Sequence, residues 1–392
     1  MTRLRDVLQR WWAEHSVPVT VFAVTRVGLF VLAYLALIFL PMNTGFAWFW
    51  QARPDNLLVD GWTRWDAGWY WRIATEGYAN LPRNDAGHTD PAFFPLYPLA
   101  IRVVNWVIHE PFVSGLLVSN VALLLALVVL HRLVRERHGP DVARRSVVLL
   151  AVFPFAFYFN AMYSESLFLL AVVCTFYFGK RKRWLLASLS AAAAGATRSL
   201  GTLALLGLLV LYLEQIRFDL RKIRPDILWL TLGLLGIGGY MAFLALRFGD
   251  PWLFYTSQMQ PGRMFSAAGT GGGVATTIEL IRQTPLSLHA IAAGQFPALE
   301  WTHLLVWVLA LILAILTWRR LPVSQAAWAT LMVLAYVTGI AGMGRYVIPI
   351  FPLFVTAALL LRKERLYQTV VYISILLLAL FTIMFVLFYW VA

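Results

Sequence analysis

Apolar runs of about 20 residues, recurring from Val17 to Tyr389, limit the fold of this chain more than any other feature. That is the length a helix needs to cross roughly 30 Å of hydrocarbon. Such runs predict an all-α polytopic membrane protein. The composition agrees: 60% of the 392 residues are hydrophobic and 13% charged, against roughly 25% charged in soluble domains.

The net charge of +13 would suggest nucleic acid in a soluble protein. Here the Lys and Arg residues gather in short loops, at 3–10, 131–145, 180–183, 217–224, 319–320 and 362–365, as the positive-inside rule requires. The charge therefore marks topology, and no nucleic acid is expected. The single cysteine, Cys174, lies in an apolar run and excludes an intrachain disulfide. The opening "MTRLRDVLQRWWAEHS" is basic and amphipathic and reads as a membrane-surface helix leading into a retained first span.

With the basic clusters placed in the cytoplasm, parity sets the remaining topology. The first span, about 17–40, leaves the cytoplasm, and 41–111 forms a long external loop with an interfacial or re-entrant piece at 93–108. The segments 146–179 and 184–214 each begin and end beside basic clusters, so each crosses twice, turning outside at "NAMYSES" and "ATRSLG". A second external loop covers 248–300, and the whole chain is one domain of about eleven crossings in a cell membrane, N-terminus inside. On this topology Arg64, Asp66, Glu165, Arg198, Gln258, Arg263 and Arg345 all fall on the outer side. Chemistry at the external face is the natural inference.

Each of these polar groups has a functional and a plain reading. Asp66, within "RWDAGWYW", can serve as a general base for an acceptor hydroxyl, or can pair with Arg64 and cap an interfacial helix. Glu165 can orient a substrate hydroxyl or hold an arginine, or can simply occupy the first turn of a helix capped by Ser164. Arg198 and Arg345 interrupt apolar stretches, and a guanidinium binds phosphate through two parallel hydrogen bonds. They suit an anionic lipid headgroup such as a polyprenyl phosphate, or they snorkel to ordinary phospholipid. Asp60 and Asp66 are too far apart for an Asp-x-Asp metal pair; Asp85, His88 and Asp90 leave a divalent cation open but weakly signalled. "GTGGG" at 269–273 follows no strand and precedes no phosphate-type lysine, so it is no nucleotide-binding loop.

In order along the chain, "RWDAGWYWRIATEGY", "FFPLYPLAIR", "FNAMYSESLFLL", "ATRSLG", "GDPWLFYTSQ" and "GRYVIPIFPLF" resemble the PIG-V-like family. That family contains the second mannosyltransferase of glycosylphosphatidylinositol-anchor synthesis and its prokaryotic relatives. It belongs to the GT-C superfamily of multi-spanning glycosyltransferases. The resemblance implies transfer of mannose from a polyprenyl-phosphate donor to a lipid-linked or glycan acceptor, with inversion and with Asp66 as base. It also implies that Arg198 and Arg345 bind the donor phosphate. Arg64, Trp65, Trp69, Tyr70, Tyr97, Tyr163, Glu165, Gln258 and Arg263 are the expected substrate-binding set. No required cofactor is implied. A transporter or lipid flippase is the alternative, against which stand the absence of an internal repeat and the gathering of polar groups on one face.

Overall fold

The computed structural model describes residues 2–45, 49–82, 88–259, 282, 298–336 and 342–391, with backbone alone for 2–14. These residues are helical and contain no β-strand. The first helix, α1 (Thr2–Phe39), passes through Pro18 without a break, so the expected surface helix and first span are continuous. The first loop then carries α2 (Leu57–Asp60), α3 (Ala67–Glu76), a 3-10 turn (Asp90–Ala92) and α4 (Leu96–Ile108).

The amphipathic α4 buries Tyr97, Pro98 and Ile101 and exposes Leu99, Val103, Trp106 and Val107. An apolar face left outside the fold is what an interfacial helix presents to lipid. Arg102 fastens α4 to α3 by donating Nε to Ala74 O at 2.7 Å and Nη2 to Ile73 O at 3.1 Å. Those carbonyls lie in the last turn of α3, where a cation is favoured.

The bundle continues with α5 (Pro111–His138), α6 (Pro140–Ala151), α7 (Glu165–Lys180), α8 (Trp184–Thr197) and α9 (Leu203–Gln215). A 3-10 segment (Pro225–Leu234) runs into α10 (Leu235–Phe248), followed by α11 (Leu253–Gln258). The final described group is α12 (Ala298–Thr317), α13 (Val323–Ala335), α14 (Met343–Val347), α15 (Phe351–Leu360) and α16 (Glu364–Val386). α1 packs against α5, α6 and α16; α7 packs against α5, α8 and α9; α12 packs against α13, α14 and α15.

The two segments expected to cross twice are helix pairs, α6 with α7 and α8 with α9, each broken at "NAMYSES" or "ATRSLG". Five described segments are long and apolar enough to span: His15–Phe39, Pro111–His138, Pro225–Phe248, Ala298–Thr317 and Glu364–Val386. The remaining apolar helices are shorter, so helix length does not by itself carry a count of eleven crossings.

That shortness has a geometric consequence. α7 has 16 residues and α8 has 14, roughly 24 and 21 Å of rise, against roughly 30 Å of hydrocarbon. Helices this short do not by themselves cover that thickness. Glu165 opens α7 and Arg198 directly follows α8, both at the ends away from the basic cluster at 180–183.

Candidate active site

The segment 152–164, between α6 and α7, leaves buried backbone groups outside regular α-helix that need partners. Arg26, near the middle of the α1 span and 2% exposed, supplies them. Its Nη2 donates to Ala151 O at 2.9 Å, and its Nη1 to Ala156 O at 3.0 Å and Asn160 Oδ1 at 3.3 Å. Ala151 O lies in the final turn of α6, the negative end of that helix's dipole. Arg26 thus ties the first span to the break and fixes the turn that carries Tyr163, Ser164 and Glu165.

Tyr163 in turn fixes Asp66. Its hydroxyl donates to Arg64 O at 3.1 Å and accepts from Asp66 N–H at 3.2 Å, straddling Trp65. Trp65 has φ 54°, in the left-handed region, which is strained for a bulky residue and found mostly where a site demands it. The strain is held by the hydroxyl clamp and by packing of the indole on Phe388 and Trp390, at ring separations of 4.6 and 4.9 Å. The result turns Asp66 out of the first-loop helix start and toward the bundle.

There the two expected arginines meet the two expected carboxylates. Arg345 donates Nη1 to Asp66 Oδ2 at 2.5 Å and Nε to Glu165 Oε1. Arg198 donates Nη2 to the same Glu165 oxygen and Nε to Ser164 Oγ at 3.2 Å. Asp66, Arg345, Glu165 and Arg198 therefore form one continuous, charge-neutral chain. Glu165 is fully buried, while the Asp66 side chain keeps 28% of its surface, so Asp66 is the carboxylate of the two that a ligand can reach. The Arg345 guanidinium also lies over the Tyr163 ring, 4.6 Å from its centroid, a cation–π contact that holds it in place.

Further side chains orient this chain. Tyr70 donates its hydroxyl to Ser164 Oγ at 3.0 Å. Burial pushes the Tyr70 hydroxyl up to about 12, so it stays protonated and a donor throughout the neutral range. Buried His303 accepts the Gly344 N–H at Nδ1, 3.1 Å, which leaves Nε2 to donate to Val391 O at 3.1 Å. His303 thereby sets the backbone immediately before Arg345. Gly201 is obligatory for another reason: a Cβ there would stand 1.9 Å from Ala194 O, because the turn after Arg198 folds tightly back on α8.

The other predicted residues lie farther from the charges. Arg64 does not pair with Asp66. It is fully buried, bound through Nη2 to Asp60 Oδ2 at 2.7 Å and through Nε to Val386 O at 3.1 Å. Asp66 likewise starts α3 without capping it through its side chain. Tyr97 is fully buried and bonds Gly115 O at 3.0 Å and Ser119 Oγ at 2.7 Å, joining α4 to α5. Trp69 stacks on Phe93, with centroids 5.3 Å apart. Gln258 donates to Ala92 O at 3.0 Å, tying α11 to the first loop. Arg263 lies outside the described residues.

Asp60 is committed to Arg64, and Asp90 accepts Ala79 N–H at 2.9 Å. Among the described residues no three His, Cys, Asp or Glu side chains converge as a metal site. The sequence reading missed Arg26 and His303. A charge in the middle of a span was the available signal for the first, and the second had none beyond being a histidine in an apolar run.

The family model described as mannosyltransferase (PIG-V) matches residues 34–232, half of the chain, and with it α3, Asp66, Glu165 and Arg198. The chain belongs to this mannosyltransferase family. No curated protein matches it. Among solved structures, it is similar to ArnT from Cupriavidus metallidurans bound to undecaprenyl phosphate, at 15% identity and TM-score 0.43, covering 93% of this chain and 77% of that one. The apo state of the same ArnT gives 16% identity and TM-score 0.43, covering 77% and 55%. The oligosaccharyltransferase AglB from Archaeoglobus fulgidus, in complex with an inhibitory peptide and a dolichol-phosphate, gives 12% identity and TM-score 0.45, covering 96% and 56%. The chain thus spans little more than half the length of the apo ArnT and AglB structures.

Proposed function

We propose that this mannosyltransferase-family membrane protein moves mannose from a polyprenyl-phosphate donor to a hydroxyl of a lipid-linked or glycan acceptor, at the outer leaflet and with inversion. The observation that carries the reading is the chain Asp66–Arg345–Glu165–Arg198, two phosphate-suited cations joined to one partly exposed carboxylate. Donor phosphate would enter between the guanidiniums of Arg198 and Arg345, exchanging their carboxylate partners for phosphate oxygens. Arg345 would then let go of Asp66, which becomes free to accept a proton.

The reaction follows from those placements. Asp66 takes the acceptor hydroxyl proton as the oxygen attacks the anomeric carbon from the face opposite the phosphate. The bond from the anomeric carbon to the phosphate oxygen breaks through an oxocarbenium-like state. The charge that gathers on the departing polyprenyl phosphate is met by Arg198 and Arg345, in surroundings largely closed to water. Glu165 holds both arginines in register, and the Trp69–Phe93 stack offers apolar faces to the sugar.

The test is donor competition in proteoliposomes containing the purified protein and a lipid extract as acceptor source. Label is expected to pass to product from polyprenyl-phosphate mannose and not from a nucleotide-linked mannose. Transfer from the nucleotide donor would contradict the reading, and label released across the bilayer without product would favour a transporter.

A further inference from the structure

At the end of the bundle opposite Asp66, one full length of α7 away, a cavity of about 340 Å³ opens between α5, α7, α9 and the start of α13. Its mouth carries Arg137, Lys180 and Lys182, which come from the end of α5, the end of α7 and the loop beyond. Its floor is Leu133, Phe176 and Leu211, all buried. Basic residues spread along a loop are ordinary for this side of a membrane protein. Three cations from separate segments converging on one apolar-floored cavity are not.

The wall also contains Glu214 and Gln215. Glu214 is already committed: its Oε2 accepts Ser324 N–H at 3.3 Å and Ser324 Oγ–H at 2.8 Å, at the N-terminal turn of α13. Lys180 shares itself with Glu136 at 3.1 Å, which leaves Arg137 and Lys182 as the cations to neutralise. Lys182 is fixed by a left-handed backbone with φ 56°. Gln215 donates Nε2 to Gly179 O at 2.8 Å, while its Oε1 is buried with no hydrogen-bond partner among the described residues. A cation cluster, an apolar floor one turn deeper and an acceptor awaiting an O–H describe an amphiphile with an anionic, hydroxyl-bearing head.

We infer that this cavity binds an anionic glycerophospholipid of the adjoining leaflet, its phosphate at Arg137 and Lys182, a headgroup hydroxyl toward Gln215, and its chain against Phe176 and Leu211. The excess of positive charge selects against zwitterionic lipids, whose ammonium group would be repelled. This site is independent of the transferase reading.

The experiment is native mass spectrometry and thermal melting of the full-length protein. Both are done in nanodiscs of phosphatidylcholine alone or with phosphatidylglycerol, for wild type, Arg137→Gln/Lys182→Gln and Arg137→Glu. The expected result is one phosphatidylglycerol retained on wild type through delipidation, at least tenfold in preference to phosphatidylcholine. The preference should disappear in both variants, while their melting in phosphatidylcholine matches wild type. Inorganic phosphate alone should produce no shift, because it cannot use the apolar floor. Equal retention of the two lipids, a preference that survives both variants, or a full shift from inorganic phosphate would each overturn the inference.

Discussion

Arg26→Met sets two sizeable effects against one another. Removing a cation from the middle of a span relieves a cost of roughly 2.5–3.5 kcal/mol on insertion scales. It also strips Ala151 O, Ala156 O and Asn160 Oδ1 of their donor, at about 1–3 kcal/mol for each buried group left unsatisfied. The relief cancels much of that loss, so unfolding stability should fall by a few kcal/mol, on the order of 3. Position is not compensated in the same way. Without the tie, the turn holding Tyr163 and Glu165 is free to move, and a shift near 1 Å in a reacting geometry costs on the order of 100-fold. Arg26→Met should therefore fold, melt within several degrees of wild type and transfer sugar about 10- to 100-fold more slowly, in kcat more than in donor KM. Arg26→Gln, which keeps neutral donors, should recover part of the rate. Thermal melting and initial-rate transfer on the same preparations decide it. Wild-type turnover in Arg26→Met would refute the brace, and wholesale unfolding would refute the cancellation.

Two further substitutions separate positioning from structure. Tyr163→Phe removes the hydroxyl that clamps Arg64 O and Asp66 N–H around Trp65; stability should drop by about 1 kcal/mol, and kcat by several-fold more than that loss would suggest, measured by melting and by single-turnover transfer. Asp60→Asn leaves Arg64 buried without its counter-charge, a loss of about 3–5 kcal/mol that should show as poor yield and a lowered melting point; pairing it with Arg64→Met should restore most of that stability.

The segmentation of the chain was legible because polar residues interrupt apolar runs where the structure breaks its helices. "NAMYSES" and "ATRSLG" both fall at those breaks. Asp66, Glu165, Arg198 and Arg345 were legible for the same reason: an ionisable group near a span is costly and so stands out. What the sequence does not print is who pairs with whom. Arg64 has Asp66 two residues on, yet binds Asp60 four residues back, because the chain turns after α2 ends at Asp60 and brings the buried guanidinium onto that carboxylate. Arg26 escaped notice because its partners are mainly backbone carbonyls more than a hundred residues away, which no side-chain motif announces. The crossing number was not legible from apolar runs alone, because several of the helices are too short to declare themselves as spans.

The role of Asp66 is tested most directly by comparing wild type with Asp66→Asn in single-turnover transfer from polyprenyl-phosphate mannose, with binding of the polyprenyl phosphate measured alongside. If Asp66 is the base, transfer falls by about 100-fold or more, while phosphate binding is kept or tightened because Arg345 is released from its carboxylate. Transfer that survives the substitution would contradict that role and move the base elsewhere.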